Sequence, residues 1–134
     1  MITRIDHVTI CVPDLAAGIA QFAKLGFNIF AGGAHPGKGT HNAIAFNTDD
    51  YIELLAIHDK AEHRAASLKP GDKDTALNEF IAAGGGIRYV VLQSDDLVAE
   101  VAAMRSRGVD VSNVIDGSRR TLSGQELRWK IATP

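Results

Sequence analysis

The sequence contains a single cysteine, Cys11, among its 134 residues. Disulfide bonds within one chain are therefore excluded, and a reducing compartment is the simpler assignment. An excess of one charge is also missing, because 14 basic and 16 acidic residues leave a formal net charge of −2 at pH 7. A chain so balanced lacks the basic surface that attracts nucleic acid or an anionic membrane, and neither is expected as a partner.

Long apolar runs are absent as well. No run approaches the roughly 18 residues that a membrane-spanning helix requires. The opening residues, MITRIDHV, lack the apolar segment of a secretory signal, so we expect a cytoplasmic protein. The length suits one compact domain, residues 1–134, with a core of its own.

Two segments that lie 82 positions apart share a pattern. Residues 5–29 and 87–111 align without a gap and are identical at seven of 25 positions. Asp14 and Asp96 each follow a β-rich run and precede apolar residues at helical spacing, where aspartate suits the N-cap of a helix. Gly26 and Gly108 each fit the left-handed position that ends a helix. Each copy therefore predicts a strand followed by a helix.

Strand-like segments follow both predicted helices. FNIFAGG, HNAIAFN and YIELLAI come after the first helix, whereas only VDVSNVI and QELRWKIATP come after the second. We predict an α+β fold of paired βαβββ modules, residues 1–57 and 87–134, with the second module one strand short. Residues 58–86 form a linker that is polar at first and then offers a short helix, TALNEFIAA. Such modules usually pair about a pseudo-twofold axis, and the cleft between them would bind a small molecule.

Strand alternation assigns side chains to the two faces of the predicted sheet. In the first strand His7 and Thr9 face the cleft, whereas Asp6 shares a face with Val8 and is expected to lie under the helix. Glu53, in the middle of YIELLAI, also faces inward. Burial of an unpaired carboxylate is costly, so Glu53 requires a cation, a donor network or water. An imidazole and a carboxylate suit a divalent metal, although a lone strand histidine is more often an ordinary hydrogen-bonded residue.

The stretch HPGKGTHN, residues 35–42, precedes an alternating apolar run. Together with the residues before it, it nearly matches the phosphate-binding pattern GxxxxGK[ST] through Gly32, Gly37 and Lys38. Gly39 stands where serine or threonine is needed, and a strand follows where the motif requires a helix N-terminus. This excludes the nucleotide-binding interpretation and predicts a loop between two strands.

Three segments in this order, IDHVTICVPDL, GGAHPGKGTHN and YIELLAI, resemble the first module of a glyoxalase-like domain of the vicinal-oxygen-chelate superfamily. GQELRWKIA resembles a later strand of the same branch, with its glycine turn and tryptophan. The likeness covers most of residues 4–57 and 86–132. It implies paired βαβββ modules around an open site. It also implies a divalent metal held by a first-strand histidine, a fourth-strand glutamate and the equivalent positions of the other module.

The resemblance assigns metal ligands residue by residue. His7 and Glu53 match the first-module pair, and zinc, nickel, manganese and iron would all suit them. Tyr89 stands at the position equivalent to His7, and the strand that would carry the counterpart of Glu53 is missing. His41 is therefore the candidate for a third ligand.

Other residues would contact the substrate. His35 and Asn42 match recurrent polar residues of the family loop. Tyr89, Phe46 or Trp129 would stack on an aromatic ligand. Glu53 is the candidate catalytic residue, and it would act as a general base if burial raised its pKa.

Three functions remain open at this point. One is a metal-dependent lyase, isomerase or dioxygenase that binds a small carbonyl or oxygen-rich substrate. Another is a metal-free protein that sequesters a small molecule or drug in the same cleft, as bleomycin-resistance proteins do. The last is an orphan copy without a site, because fold does not fix function.

The missing strand predicts an unpaired sheet edge, which exposes backbone donors and acceptors. We expect either that the chain is part of a longer one or that a second copy covers the edge in a homodimer. Arg119, Arg120 and Arg128 lie near that edge and are expected to be solvated, with an anion-binding role as the alternative.

Overall fold

Strands and helices alternate as an α+β fold requires, and the predicted fold class is confirmed. The computed structural model describes residues 1–68 and 76–134. The first copy comprises β1 (Ile2–Cys11), α1 (Leu15–Lys24), β2 (Ile29–His35), β3 (Thr40–Phe46) and β4 (Tyr51–Ile57). The remaining elements are α2 (Lys60–Ser67), α3 (Leu77–Ala82), β5 (Gly86–Ser94), α4 (Leu97–Ser106), β6 (Ile115–Arg120) and β7 (Glu126–Ile131).

Asp14 and Asp96 cap α1 and α4, as the repeat predicts. Each side chain accepts a hydrogen bond from the backbone N–H three residues further on, at 2.7 Å for Asp14 and 3.0 Å for Asp96. Gly26 and Gly108 follow the two helices with φ of 94° and 83°, a conformation that glycine adopts readily. The two copies therefore use the same residues to begin and end their helices.

The strands form one sheet in the order β5-β1-β4-β3-β2-β6-β7. The first copy supplies the continuous block β1-β4-β3-β2, in which β1 and β4 run parallel and the other neighbours antiparallel. The strands of the second copy do not form a block of their own. Instead, β5 pairs with β1 on one side, and β6 and β7 continue from β2 on the other. In the described ranges, two strands follow α4, one fewer than follow α1.

Helix α1 covers one face of the sheet and forms the core there. The buried cluster consists of Leu15, Ala43, Leu54 and Ala56, and Ala43 and Leu54 are completely inaccessible. Gly18 faces the sheet so closely that a Cβ at its position would lie 3.2 Å from a methyl group of Val12. Because α1 seals this face, the opposite face of the same strands is left for polar side chains.

The linker between the copies contains helices α2 and α3. Helix α2 lies in a stretch predicted only as polar, and Asp59 caps it by accepting two backbone hydrogen bonds of 2.9 Å. Helix α3 corresponds to the predicted helix TALNEFIAA, of which Thr75, with the rest of residues 69–75, lies outside the described residues. No helix within residues 1–68 and 76–134 is long and apolar enough to cross a membrane.

Candidate functional site

The first strand carries an irregularity at the first predicted site residue. The register of β1 against β5 shifts between Ile5 and His7, as it does at a β-bulge, where the alternation of faces is interrupted. Asp6 and His7 consequently turn toward each other, with His7 Nδ1 2.8 Å from the carboxylate of Asp6. The prediction that Asp6 lies under the helix is therefore wrong, because its carboxylate is engaged by His7.

Glu53 lies in the middle of β4 with 13% of its side chain exposed. The hydroxyl of Thr9 donates a hydrogen bond of 2.9 Å to Oε2, and Nδ2 of Asn42 donates one of 2.6 Å to Oε1. Thr9 is placed there by the parallel β1–β4 pairing, in which it stands opposite Glu53. The sequence left a cation, a donor network or water as partners for the buried carboxylate of Glu53. The structure supplies a donor network.

Two imidazoles approach the two oxygens of this carboxylate. His7 Nε2 lies 3.6 Å from Oε2 of Glu53, and His35 Nε2 lies 4.0 Å from Oε1. The other nitrogen of His35 forms a hydrogen bond of 2.9 Å with the hydroxyl of Thr40. The ring of His7 stacks on Tyr51, with the ring centroids 4.4 Å apart. Each imidazole is therefore held in place and directed at Glu53.

The environment moves the pKa values of these three groups in different directions. Burial lowers the pKa of His35, and the attraction of Glu53 does not offset it. Burial also acts on His7, but its interactions with the carboxylates of Glu53 and Asp6 outweigh it, and the pKa of His7 is raised. For Glu53 burial is outweighed by the hydrogen bonds it accepts, and its pKa is lowered. An ionised carboxylate thus lies beside an imidazole that holds its proton more firmly than usual.

A cleft of about 340 Å³ opens on the same face of the sheet. Its lining is mostly apolar, from Phe30, Ile44, Phe46 and Leu122. Ile44 joins the cleft to the polar centre, because it stands directly opposite Glu53 in the β3–β4 ladder. The volume lies at the lower end of the range for small-molecule sites.

Arg119 lies in the wall of this cleft. It is half-buried, and its Nη1 donates a hydrogen bond of 2.7 Å to the carbonyl oxygen of Gly32. Arg119 is therefore less exposed than expected. Arg120 and Arg128 are exposed, as expected.

His41 does not join the His7–Glu53 pair. It stands opposite Ala56 of the core, on the helix-covered face, and its ring lies 5.2 Å from that of His58. Asn42, the next residue, takes the other face and contacts Glu53. The alternation of β3 thus separates the proposed third ligand from the first two.

Tyr89 and Trp129 flank the polar centre on opposite sides. Tyr89 stands opposite Thr9 in the β1–β5 ladder, and its hydroxyl lies 3.4 Å from Nε of Arg88. The ring of Trp129 meets His35 edge-on, with the ring centroids 6.2 Å apart. Their predicted role in stacking on a ligand stays a prediction, as do the substrate contacts of His35 and Asn42.

The residues present do not fit a metal held by three or more protein ligands. In the part of the chain that the structure describes, no three His, Cys, Asp or Glu side chains are arranged to bind an ion. The predicted ligand set of His7, Glu53 and His41 is not assembled.

The loop between β2 and β3 holds the end of β2, which carries His35, and the start of β3, which carries Asn42. Gly39 adopts a φ of 66°, and its carbonyl oxygen accepts hydrogen bonds from the N–H groups of His58 and Asp59. The N–H of Gly37 donates a hydrogen bond of 2.8 Å to Glu62 of α2. The loop is thus fastened to the start of α2, and the strand that follows agrees with the exclusion of a phosphate loop.

Thr9 and Thr40 were not predicted to be site residues, although each bonds a titratable side chain of the centre. A single threonine in a strand carries no motif. The available signal for Thr9 was its position two residues after His7 on the same predicted face.

Comparison with known proteins adds a family and a set of relatives. A family model described as a glyoxalase-like domain matches residues 5–134. A 4-hydroxyphenylpyruvate dioxygenase from Neurospora crassa is 26% identical over an alignment of 96 residues that covers 67% of this chain and 21% of that protein. The enzyme of the same name from Pyricularia oryzae matches to the same extent. The chain thus spans about a fifth of the length of the curated relatives it matches.

Solved structures share the fold. A hypothetical protein from Staphylococcus aureus superposes with a TM-score of 0.79 at 19% identity, over 96% of this chain and 51% of that chain. Streptomyces coelicolor methylmalonyl-CoA epimerase, solved with 2-nitronate-propionyl-CoA, gives 0.65 at 24% identity, over 98% and 86%. The Mycobacterium tuberculosis epimerase gives 0.64 at 22% identity, over 97% and 79%.

Proposed function

Because the chain belongs to the glyoxalase-like domain family, we propose that it binds a small carbonyl compound on the open sheet face and moves a proton on it. The observation that carries this proposal is the 3.6 Å separation between His7 Nε2 and Glu53 Oε2 on the face that bears the cleft. The pKa of His7 is raised and that of Glu53 lowered. Neighbouring groups whose charge states are held apart in this way suit acid and base roles.

Glu53 is the base in the proposed reaction. Its carboxylate takes the proton from the carbon next to the substrate carbonyl, and the electron pair of that C–H bond forms the carbon–carbon double bond of an enolate. His7, through its protonated Nε2, donates a hydrogen bond to the carbonyl oxygen as negative charge develops there. Return of the proton from Glu53 to the same carbon restores the carbonyl compound, and the configuration of that carbon is inverted when the enolate has turned its other face to Glu53 before the proton returns.

The hydrogen bonds on Glu53 limit the substrates it can deprotonate. Thr9 and Asn42 orient the carboxylate and also stabilise its charge, which makes Glu53 a weak base. A weak base suits a relatively acidic C–H bond, such as one flanked by two carbonyl groups. We therefore place the substrate among small dicarbonyl compounds, including 3-oxo esters and thioesters.

Deuterium uptake tests this function. A panel of 2-substituted 3-oxo esters and thioesters is incubated with protein in D₂O, and loss of the proton signal at the activated carbon is followed by NMR. The wild type is expected to accelerate exchange, and Glu53→Gln to lower the rate by about 10²–10⁴-fold. Glu126→Gln, an exposed change on β7, serves as the control. No acceleration by the wild type, or full activity in Glu53→Gln, would refute the proposal.

Metal-free sequestration of a small aromatic molecule is the second candidate. Phe30 and Phe46 line the cleft and remain 55% and 66% exposed. Aromatic side chains left open in a concave site favour ligand binding. A thermal-shift screen in which aromatic compounds stabilise the protein while deuterium exchange stays at the background rate would favour this candidate over the enzyme.

We also propose a homodimer formed through the outer strand β5. Ile87, Val90 and Leu92 of this strand are 68%, 57% and 48% exposed, and apolar side chains beside an outer strand invite pairing. Sedimentation is expected to give a dimer that Val90→Lys dissociates and that Leu25→Lys, an exposed change beyond α1, leaves intact. A monomer at high protein concentration would be inconsistent with this assembly.

A further inference from the structure

Arg119 brings a positive charge to the wall of the cleft. One of its donors is used by the carbonyl oxygen of Gly32, at 2.7 Å. A guanidinium has five N–H donors and no acceptor, so most of its donors remain for another partner. Within residues 1–68 and 76–134, no carboxylate forms an ion pair with Arg119. A charged group is therefore positioned at the cleft without a carboxylate of the described residues bound directly to it.

The charge of Arg119 extends to the polar centre. It lowers the pKa of His35, where burial is the main cause, and it opposes the rise in the pKa of Tyr51 that burial produces. Both groups lie on the sheet face that carries the cleft, since His35 approaches Glu53 and Tyr51 stacks on His7. The positive charge of Arg119 therefore acts across the space between the cleft and the polar centre.

The rest of the cleft is mainly apolar. Phe30 and Ile44 stand opposite each other in the β2–β3 ladder, and Phe46 and Leu122 extend the lining. Water screens charges poorly beside such a surface, so a single cation attracts an anion there more strongly than on an open surface. A planar carboxylate matches the fork of one guanidinium, which can donate two parallel hydrogen bonds to it.

We propose that Arg119 selects, among the small dicarbonyl compounds, those that also carry a carboxylate, so that the cleft takes a dicarbonyl compound with a free carboxylate and an aromatic or other apolar body. This inference rests on the proposed function in one respect, because the ligand occupies the same cleft. In the proposed complex the carboxylate binds the guanidinium and the apolar body lies against Phe30 and Phe46. The carbonyl group of the ligand is then directed toward His7 and Glu53.

Equilibrium binding of a matched pair of ligands tests the selection. The probes are benzoylformate and its methyl ester, which share the ring and the ketone and differ in the negative charge. Neither has a hydrogen on a carbon next to the ketone, so binding is measured without proton transfer. Affinities are measured by calorimetry for the wild type, Arg119→Gln and Arg120→Gln, where Arg120 is the exposed neighbour on β6.

The wild type is expected to bind the acid at least about tenfold more tightly than the ester, as for one charge-assisted hydrogen-bonded pair. Arg119→Gln should lower the affinity for the acid about tenfold or more and abolish the preference for the acid over the ester. Arg120→Gln should change neither the affinity nor the preference. Thermal melting is used to verify that both variants are folded.

Equal affinity of the wild type for acid and ester, no binding of the acid at millimolar concentration, or a preference that survives in Arg119→Gln would each overturn the inference. The outcome is separable from that of the deuterium experiment. A charge preference without proton exchange would leave Arg119 as a ligand-selecting residue of a binding protein. Exchange without a charge preference would leave the proposed function and refute the role of Arg119.

Discussion

The Nδ1 atom of His7 lies 2.8 Å from the carboxylate of Asp6, the residue that precedes it in β1. Neighbours in a regular strand point to opposite faces, so this contact depends on the register shift that separates Ile5 from His7. The consequence is chemical, because a carboxylate on one imidazole nitrogen favours the protonated ring that faces Glu53 with the other.

Removal of this carboxylate should reduce stability in a pH-dependent way. The folded pKa of His7 is raised above 6.5, so its stabilising contribution is complete below pH 6.5 and is lost as the pH rises through the folded value. Below pH 6.5, Asp6→Asn is expected to lower the free energy of unfolding by about 0.5–1.5 kcal/mol. At a pH above the folded pKa of His7 the loss should be smaller. Urea unfolding at both pH values measures the difference.

Asp50→Asn, an exposed change in the turn after β3, is the control for Asp6→Asn and should leave stability within about 0.5 kcal/mol. A loss in Asp6→Asn that increased toward alkaline pH would show that the Asp6–His7 contact does not hold the proton.

A second carboxylate beside Glu53 should couple to it. Asn42 is 3% exposed, and its amide nitrogen lies 2.6 Å from Glu53, so Asn42→Asp would place two carboxyl groups in contact. Like charges at this distance raise the pKa of one partner, and a raised carboxyl pKa removes stability as the pH rises above the unfolded value. We expect a loss of about 2–4 kcal/mol at neutral pH that shrinks in acid.

Asn47→Asp, in the exposed turn between β3 and β4, is the matched control for Asn42→Asp because it adds the same charge away from Glu53. Thermal melting at acidic and neutral pH measures both variants. An equal loss for Asn42→Asp at both pH values would indicate a packing defect and argue against charge coupling.

The loop before β3 should tolerate change at one glycine and not at the other. Gly39 and Gly37 both have positive φ, of 66° and 73°. A Cβ at Gly39 would lie 2.3 Å from the carbonyl oxygen of Asp59, whereas at Gly37 it would meet nothing within 4 Å. Gly37→Ala should therefore lower the free energy of unfolding by about 1–2 kcal/mol through backbone strain. Gly39→Ala should lower it clearly more, because its Cβ also meets the backbone of Asp59.

Chemical unfolding of the two glycine variants gives this comparison directly. Similar losses in both would mean that the contact of the loop with the start of α2 contributes little to the position of His35.

The proposed proton transfer should have a characteristic pH profile. It needs Glu53 ionised and His7 protonated, so the exchange rate should fall as the pH drops through the lowered pKa of Glu53 and as it rises through the raised pKa of His7. Asp6→Asn should move the basic limb to lower pH and leave the acidic limb in place. Movement of the acidic limb alone, measured by deuterium uptake, would reverse the assigned roles.

Local sequence signals predicted much of the fold. A helix cap is decided within a few residues, which is why Asp14 and Asp96 could be assigned from the sequence. The pairing of β5 with β1 and of β6 with β2 was not foreseen, because it joins segments far apart in the chain. The strands of residues 87–134 are therefore divided between the two ends of the sheet.

The candidate site was predictable where alternation alone decides it. The period of two places His7, Thr9 and Glu53 on one face, and it also separates His41 from Asn42. The assignment of His41 as a ligand followed the family likeness, which that alternation opposes. The turn of Asp6 toward His7 depends on a bulge against β5 and leaves no trace in the sequence of β1.

The position of Arg119 also could not be predicted from local sequence, because it depends on a contact between distant parts of the chain. Its partner Gly32 is 87 residues away, and the contact follows from the position of β6 beside β2. Charge and location at a predicted sheet edge indicated a solvated residue, because nothing local distinguishes Arg119 from Arg120.

The charge states of His7 and Glu53 are the centre of this account, and NMR of the isotopically labelled wild-type protein reads both. The ¹⁵N shifts of the His7 ring and the ¹³C shift of the Glu53 carboxyl group are followed as the pH is changed. The account predicts that His7 is more than half protonated at pH 6.5 and that Glu53 is more than half ionised at pH 4.5. A mostly neutral His7 at pH 6.5, or a mostly protonated Glu53 at pH 4.5, would contradict it.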